Sequence, residues 1–217
     1  MQAGHELHAR PDNKMRVRPT ILVLAAGAGS RYRGAHHKLE EFLGAATVLG
    51  STLRNASQTQ LPLLVVATAA RAALAGKQVA TRDILVLSDA EAALGMGNSI
   101  AAGVAERSGA TGWLVLPGDM PLVTPGSMLA VATALEQYPV VFAQHRGRRG
   151  HPVGFSAELY SELVRLNGDD GARRVMARYP AHGVELDDPG VLLDVDTEAD
   201  LEALRARLVG PKAQAEG

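Results

Sequence analysis

The chain has 217 residues, 47% of them hydrophobic and 21% charged, with a formal net charge of −1 at pH 7. It is long enough to bury a full core and lacks the basic excess that a nucleic-acid partner demands. Cysteine is absent, which excludes a disulfide framework or a thiolate metal site, and no apolar run reaches the length of a membrane span. No nucleic-acid partner, no membrane contact and a cytoplasmic location are therefore expected.

Residues 1–18 mix charge, His and Pro without periodicity and lack the apolar core of a signal peptide, so they read as a disordered tail. Residues 19–209 read as one domain and 210–217 as a frayed end. Within the domain, apolar runs alternate with Ala-rich helical stretches. Strands are expected at Thr20–Leu24, Leu63–Ala67, Ile84–Leu87, Trp113–Leu116, Val140–Ala143, Val153–Phe155 and Leu192–Val195. Helices are expected near Thr47–Gln58, Ala69–Ala75, Ile100–Ser108, Pro125–Glu136, Ala157–Leu166 and Gly171–Tyr179. A last helix should begin at Thr197, an N-cap with Asp200 three residues on. This alternation predicts an α/β fold, Rossmann-like, with a mostly parallel central sheet and helices on both faces. Ligands of such sheets bind beyond the carboxyl ends of the strands.

The first strand runs into Ala25-Ala26-Gly27-Ala28-Gly29-Ser30-Arg31, with Lys38 downstream. Glycines let backbone N–H groups close around an anion, and N–H groups at a helix start form a phosphate nest. Two cations beyond the nest, Arg31 and Lys38, suit a polyphosphate. The loop is neither a Walker loop, since no Lys-Ser or Lys-Thr follows, nor a dinucleotide fingerprint, since Tyr32 stands where the third glycine belongs.

Acidic residues follow two later apolar runs. Gly118-Asp119 comes after Trp113–Pro117, and Mg²⁺ takes hard oxygen ligands from one or two carboxylates plus substrate phosphates. Asp194 and Asp196, if on a strand, share one face and repel unless a cation compensates them. Gly95-Met96-Gly97-Asn98-Ser99 precedes a helix, offering a cap at Asn98 or Ser99 and backbone and hydroxyl contacts to a ligand. Arg146 to Pro152 reads as a glycine-loosened loop in which Arg146, Arg148 and Arg149 form a cationic patch for an anionic second substrate, with His151 as a hydrogen-bond donor to its phosphate. Gly168-Asp169-Asp170-Gly171-Ala172-Arg173 reads as a helix start whose acidic residues favour its N-terminus.

Together these residues carry a family resemblance. The spacing A-A-G-x-G-x-R with a downstream Lys resembles the signature loop of nucleotidyltransferases that build NDP-linked products. From about Thr20 to Leu208 the chain is similar to the molybdenum cofactor cytidylyltransferase-like group of the molybdopterin nucleotidyltransferases. Gly118-Asp119-Met120-Pro121 matches the group's metal-carboxylate motif, and Arg148-Arg149-Gly150-His151-Pro152 resembles its R-x-G-H-P segment. Asp194-Val195-Asp196-Thr197-Glu198 resembles its D-x-D-T-P, with Glu198 for the proline, and the segment from Gly168 to Arg173 matches its G-D-x-G-A-R. The stretch between Arg31 and Lys38 is longer than the group's, and the segment after Lys38 is degraded.

The resemblance implies a single Rossmann-like nucleotidyltransferase domain moving CMP from CTP, with Mg²⁺, onto the phosphate of a molybdopterin-type acceptor. The implied catalytic residues are Arg31, Lys38 and Asp119. The implied nucleotide contacts are Leu24, Ala25, Ala26, Gly27, Gly29, Ser30, Arg31 and Lys38, then Gly97, Ser99 and Gly118. Asp119 with one of Asp194 and Asp196 is the expected metal-ligand set, and Arg148, His151, Pro152, Asp169 and Arg173 are the expected acceptor contacts. A molybdenum hydroxylase is the implied recipient of the product. The contrasting expectation is a non-catalytic chaperone that keeps the fold and carries the finished cofactor, against which the retained Lys38 and Asp119 argue.

Overall fold

The computed structural model describes residues 18–169 and 171–209; the expected tails, Arg18 apart, lie outside them. In chain order the elements are β1 (Thr20–Ala25), β2 (Phe42–Leu43), β3 (Ala46–Thr47), α1 (Val48–Gln58), β4 (Leu63–Thr68) and α2 (Ala69–Ala75). Then come β5 (Ile84–Leu87), α3 (Asp89–Ala92), α4 (Met96–Glu106), β6 (Gly112–Pro117), α5 (Pro125–Ala134) and β7 (Val140–His145). The chain finishes with β8 (Arg148–Ser156), α6 (Tyr160–Leu163), α7 (Gly171–Arg178), β9 (Ala181–Glu185) and α8 (Glu198–Val209).

Seven strands form the main sheet in the order β5-β4-β1-β6-β8-β7-β9, with β8 alone antiparallel to its neighbours. The expected mostly parallel sheet is therefore observed. The strands read as unbroken apolar runs because both faces are covered. Period-2 alternation divides them: Ile21, Val23 and Ala25 pack with α1, α5 and α8, while Leu22 joins Leu64, Trp113 and Ile100 on the α4 side. The order reverses beside β1, since the chain travels outward to β5 and returns to β6 on β1's other side. That switch point opens a crevice beyond the carboxyl ends of β1 and β6.

Two expectations need correction, and one strand is unforeseen. Leu192–Val195 is not a strand: Pro189–Leu192 is a 3₁₀ turn, and Val195 is tied to β6's exit by one backbone bond, its N–H donating to Asp119 O at 3.0 Å. The true seventh strand is β9, whose Ala181-His182-Gly183 start has little β preference. It forms because β7 offers an open edge to pair with. The stretch expected as a helix over Ala157–Leu166 is a 3₁₀ turn, Ala157–Leu159, and the four-residue α6. The Thr197 cap is observed: Asp200 N–H donates to its Oγ1 at 3.2 Å, and Asp200 Oδ2 accepts from Thr197 N–H at 2.7 Å.

Candidate active site

No helix follows the glycine loop. The chain leaves β1, turns at Gly29–Tyr32, where Tyr32 N–H donates to Gly29 O at 2.9 Å, and reaches α1 only at Val48. The expected helix-dipole contribution to the nest is thus absent, and the loop has only its own N–H groups and flanking cations. Gly29 has φ +62°, and a Cβ there would stand 2.7 Å from His37 Nε2. His37 lies across the loop, its Nε2 3.1 Å from Gly27 O and its Nδ1 accepting from Leu39 N–H at 3.2 Å. With Nδ1 an acceptor, Nε2 must carry the proton and donate to Gly27. Burial, reinforced by Arg71, holds the His37 pKa below its ordinary value of 6.5.

Lys38 sits at the centre of the charges. Its Nζ lies 2.6 Å from Asp119 Oδ2 and 2.9 Å from Asp196 Oδ1, and all three side chains are largely buried. Arg31 Nη1 reaches the second Asp196 oxygen at 2.8 Å, although its side chain is 74% exposed. Burial works to lower the Lys38 pKa, but Asp119 and Asp196 outweigh it and hold the ammonium above its ordinary range. Asp194, half-buried and beside Asp196 and Asp119, has its pKa raised by burial and then by those two carboxylates. The two aspartates meet Asp119 through the irregular chain after the 3₁₀ turn, not through strand alternation.

These residues surround two adjoining cavities of about 530 and 790 Å³. The first lies between the glycine loop and Asp119, lined also by Leu24, Ala26, Ser99 and Asp194. Gly27, Gly29, Ser30, Arg31, Lys38 and Asp196 border both. The second has an apolar floor of Ile100, Val115, Val153, Phe155 and Met176, with Arg149, His151, Asp169 and Arg173 at its edge.

Five expected contact residues lie outside these linings. Ala25 is buried in the core. Gly118 spends its N–H on Leu24 O at 2.8 Å, and a Cβ would stand 2.9 Å from that oxygen, so it serves the close approach of β1 and β6. Gly97 N–H is bound to Gly168 O at 2.7 Å. Arg148 and Pro152 miss the cleft because Arg146–Pro152 is not a loose loop: Arg146 and Gly147, both with positive φ, make a tight turn, and β8 begins at Arg148. Alternation along β8 then turns Arg149, His151 and Val153 to the α4 side, where they border the second cavity. Of the three arginines expected to form the cationic patch, Arg149 is the one that borders the cleft, and the period-2 signal would have singled it out. Its Cζ sits 4.6 Å from the centre of the Phe142 ring.

His151 departs from its expected role of donor to a phosphate. It is partly buried, one ring nitrogen hydrogen-bonds the Val115 carbonyl, and Nδ1 has no partner. Burial lowers its pKa against the opposing pull of Val115 and Asp119, so Nδ1 stays a lone-pair acceptor. The α4 helix also starts earlier than expected, at Met96, so Asn98 and Ser99 lie in its first turn and neither caps it. Asn98 donates to Glu91 O at 2.9 Å. The Ser88-x-x-Glu91 capping box that starts α3 was in the sequence and escaped notice.

The donor set fits a hard divalent cation. Asp119 Oδ1 is buried with no hydrogen-bond partner, and Asp194 and Asp196 line the same cavity. Among the described residues no three His, Asp or Glu side chains gather into a shell of their own. Mg²⁺ is commonly held by one or two carboxylates and completed by water and substrate phosphates.

A doubly wound α/β sheet with a glycine loop, paired cations and carboxylates at its switch point defines a nucleotide-binding protein class. Residues 21–184 match the MobA-like NTP transferase domain, and the chain belongs to that family. It is 35% identical over 126 residues to the purine catabolism protein PucB of Bacillus subtilis (strain 168), covering 55% of this chain and 60% of that one. It is 33% identical over 107 residues to the phosphoenolpyruvate guanylyltransferase of Mycolicibacterium smegmatis, covering 48% and 46%. The matches thus span about half of these curated relatives. Among solved structures, Rv0371c of Mycobacterium tuberculosis H37Rv is 28% identical with a TM-score of 0.76, covering 88% of this chain and 98% of that one. The same protein has been solved in complex with manganese, with 27% identity, a TM-score of 0.72 and the same coverage. Among the described residues no helix is long and apolar enough to cross a membrane.

Proposed function

We propose that this protein transfers a nucleotidyl group from an NTP to a phosphorylated small molecule and releases pyrophosphate. The observation that carries this reading is Lys38 Nζ held between Asp119 and Asp196 where the glycine loop opens. A buried ammonium with two carboxylates at a phosphate loop is suited to exchange one carboxylate for a phosphate oxygen.

On this reading the N–H groups around Gly27–Ser30, with Arg31 and Lys38, bind the triphosphate. Asp119, with Asp194 or Asp196, would hold a divalent cation, for which the manganese complex of Rv0371c is the precedent. Such a cation supplies charge neutralisation on the transferring phosphoryl group. Lys38 and Arg31 stabilise charge on the α-phosphoryl group and on the departing pyrophosphate. Arg149 and Arg173 orient the acceptor's phosphate for in-line attack on the α-phosphorus. No side-chain nucleophile is required, since positioning and charge compensation carry phosphoryl transfer.

The finer reading takes CTP as donor, a molybdopterin-type phosphate as acceptor and a molybdenum hydroxylase as recipient of the product. Support for it is the motif order along the chain and membership of the MobA-like family. Ala26, which borders the first cavity, puts a methyl group where guanylyl-transferring relatives resemble A-G-G, and so favours a smaller base. The guanylyltransferase relative makes GTP the rival donor. Equimolar CTP and GTP competing for one pterin acceptor, with products read by mass, tests the choice. Cytidylyl product in excess supports it, and guanylyl product overturns the donor while leaving the reaction class.

A further inference from the structure

Two motifs distant in sequence are closed on one another across the cleft. Gly97 N–H donates to Gly168 O at 2.7 Å, and Gly168 N–H donates to Leu94 O at 3.0 Å. Asp169 Oδ1 accepts from Met96 N–H at 3.1 Å. The α4 N-cap position is Gly95, which has no side chain to offer, so Asp169 caps α4 from 73 residues away. Close approach explains both glycines. A Cβ on Gly95 would stand 2.7 Å from Asp169 Oδ1, and one on Gly97 would stand 2.7 Å from Gly168 O. Gly95 also takes φ +100°.

We infer that Asp169 is a positioning residue for the nucleotide side of the cleft, acting through the first turn of α4, and not simply a contact for the second substrate. The first turn carries Ser99, which borders the first cavity, and Met96, which with Asp169 borders both. Without its cap the turn frays, and only the fraction of molecules with an ordered turn presents the nucleotide wall. Gly168 and Asp169, ahead of the helix that carries Arg173, are fastened to the same turn, so ordering by nucleotide extends toward the acceptor side. The inference rests on the nucleotidyltransferase reading.

The test is nucleotide binding with no second substrate present. Titration calorimetry with α,β-methylene CTP and Mg²⁺ compares the full-length wild type, Asp169→Ala and Asp169→Asn, with the fold of each checked by circular dichroism. Asp169→Ala should weaken binding about fivefold, the loss expected from one helix cap. Asp169→Asn keeps an oxygen for the Met96 N–H and should stay within about twofold of wild type. Hydrogen exchange at Met96 and Gly97 should quicken in Asp169→Ala and slow again when nucleotide is added. Wild-type affinity and exchange in Asp169→Ala overturn the inference alone. Wild-type protein that binds neither α,β-methylene CTP nor α,β-methylene GTP overturns the functional reading, and the inference with it.

Discussion

The two walls of the cleft hold charge in opposite ways. On the β1 side Lys38, Arg31, Asp119 and Asp196 are already paired with one another before any ligand arrives. On the β8 side Arg149 stacks on Phe142 and has no carboxylate partner among the described residues, while His151 Nδ1 is an acceptor with no donor. A ligand entering the first wall must break internal ion pairs, so it must bring phosphate and metal to replace both halves. One entering the second wall meets a preset cation over a ring and an apolar floor, and is selected by shape and hydrogen-bonding edges. Under the proposed function the first wall serves the chemistry and the second the recognition of the acceptor.

Substitutions sharpen this contrast unequally. The largest effect should come from Asp119→Asn, because an amide cannot supply the ionised oxygen Mg²⁺ takes. Pyrophosphate release across a Mg²⁺ titration should fall to background, while a saturable wild-type metal response would make Asp119 a mere turn residue. Lys38→Ala should cost about a hundredfold in turnover at saturating NTP, the usual loss for one charge-stabilising donor. It also leaves Asp119 and Asp196 without their shared cation, so a folded variant with unchanged turnover would break the picture of the first wall.

The second wall should respond in KM rather than kcat. Arg149→Ala is expected to raise the acceptor KM about tenfold, as losing one charge-assisted contact does, with nucleotide-only affinity within about twofold of wild type. Arg148→Ala should change neither. Equal effects of the two substitutions would mean that β8 alternation does not govern the acceptor side.

The smallest expected effect is a pH dependence at the glycine loop. Burial and then Arg71 hold the folded His37 pKa below 6.5, so its neutral form is the folded form. The stability it contributes is complete above about pH 6.5 and is lost as pH falls through the lower, folded pKa. Protonation turns Nδ1 into a donor facing the Leu39 N–H and releases the loop. Nucleotide affinity should therefore weaken about two- to fivefold more on acidification in wild type than in His37→Gln, since one hydrogen bond is at stake. Parallel pH profiles would remove His37 from the loop's support.

The sheet was legible in the sequence because both-face burial leaves continuous apolar runs, and six of its seven strands announce themselves that way. β9 was not, because an edge strand that starts Ala-His-Gly is held by its neighbour and not by its own residues. The glycine loop, Lys38 and Asp119 were legible as a site because cations and a carboxylate follow separate apolar runs that end on one edge. The false strand at Leu192–Val195 shows the limit: four apolar-rich residues carry the same pattern in a strand and in an irregular segment packed against β6's exit. A loop reading puts Arg146, Arg148 and Arg149 in one patch because a loop has no faces to tell them apart, and the R-x-G-H-P resemblance points to Arg148. Asp169 was read for its own helix, since nothing in sequence spacing shows that it caps another helix 73 residues back.

The central claim is that the α-phosphoryl group moves. Incubating the protein with Mg²⁺, a phosphorylated pterin and CTP labelled in separate reactions at the α or the γ phosphate follows it directly. The α label should appear on the acceptor and the γ label in pyrophosphate, with neither transfer in Asp119→Asn. Label from the γ position on the acceptor would make the protein a kinase, and bound nucleotide and acceptor with no label moved, for GTP as for CTP, would make it a carrier; either result contradicts the account.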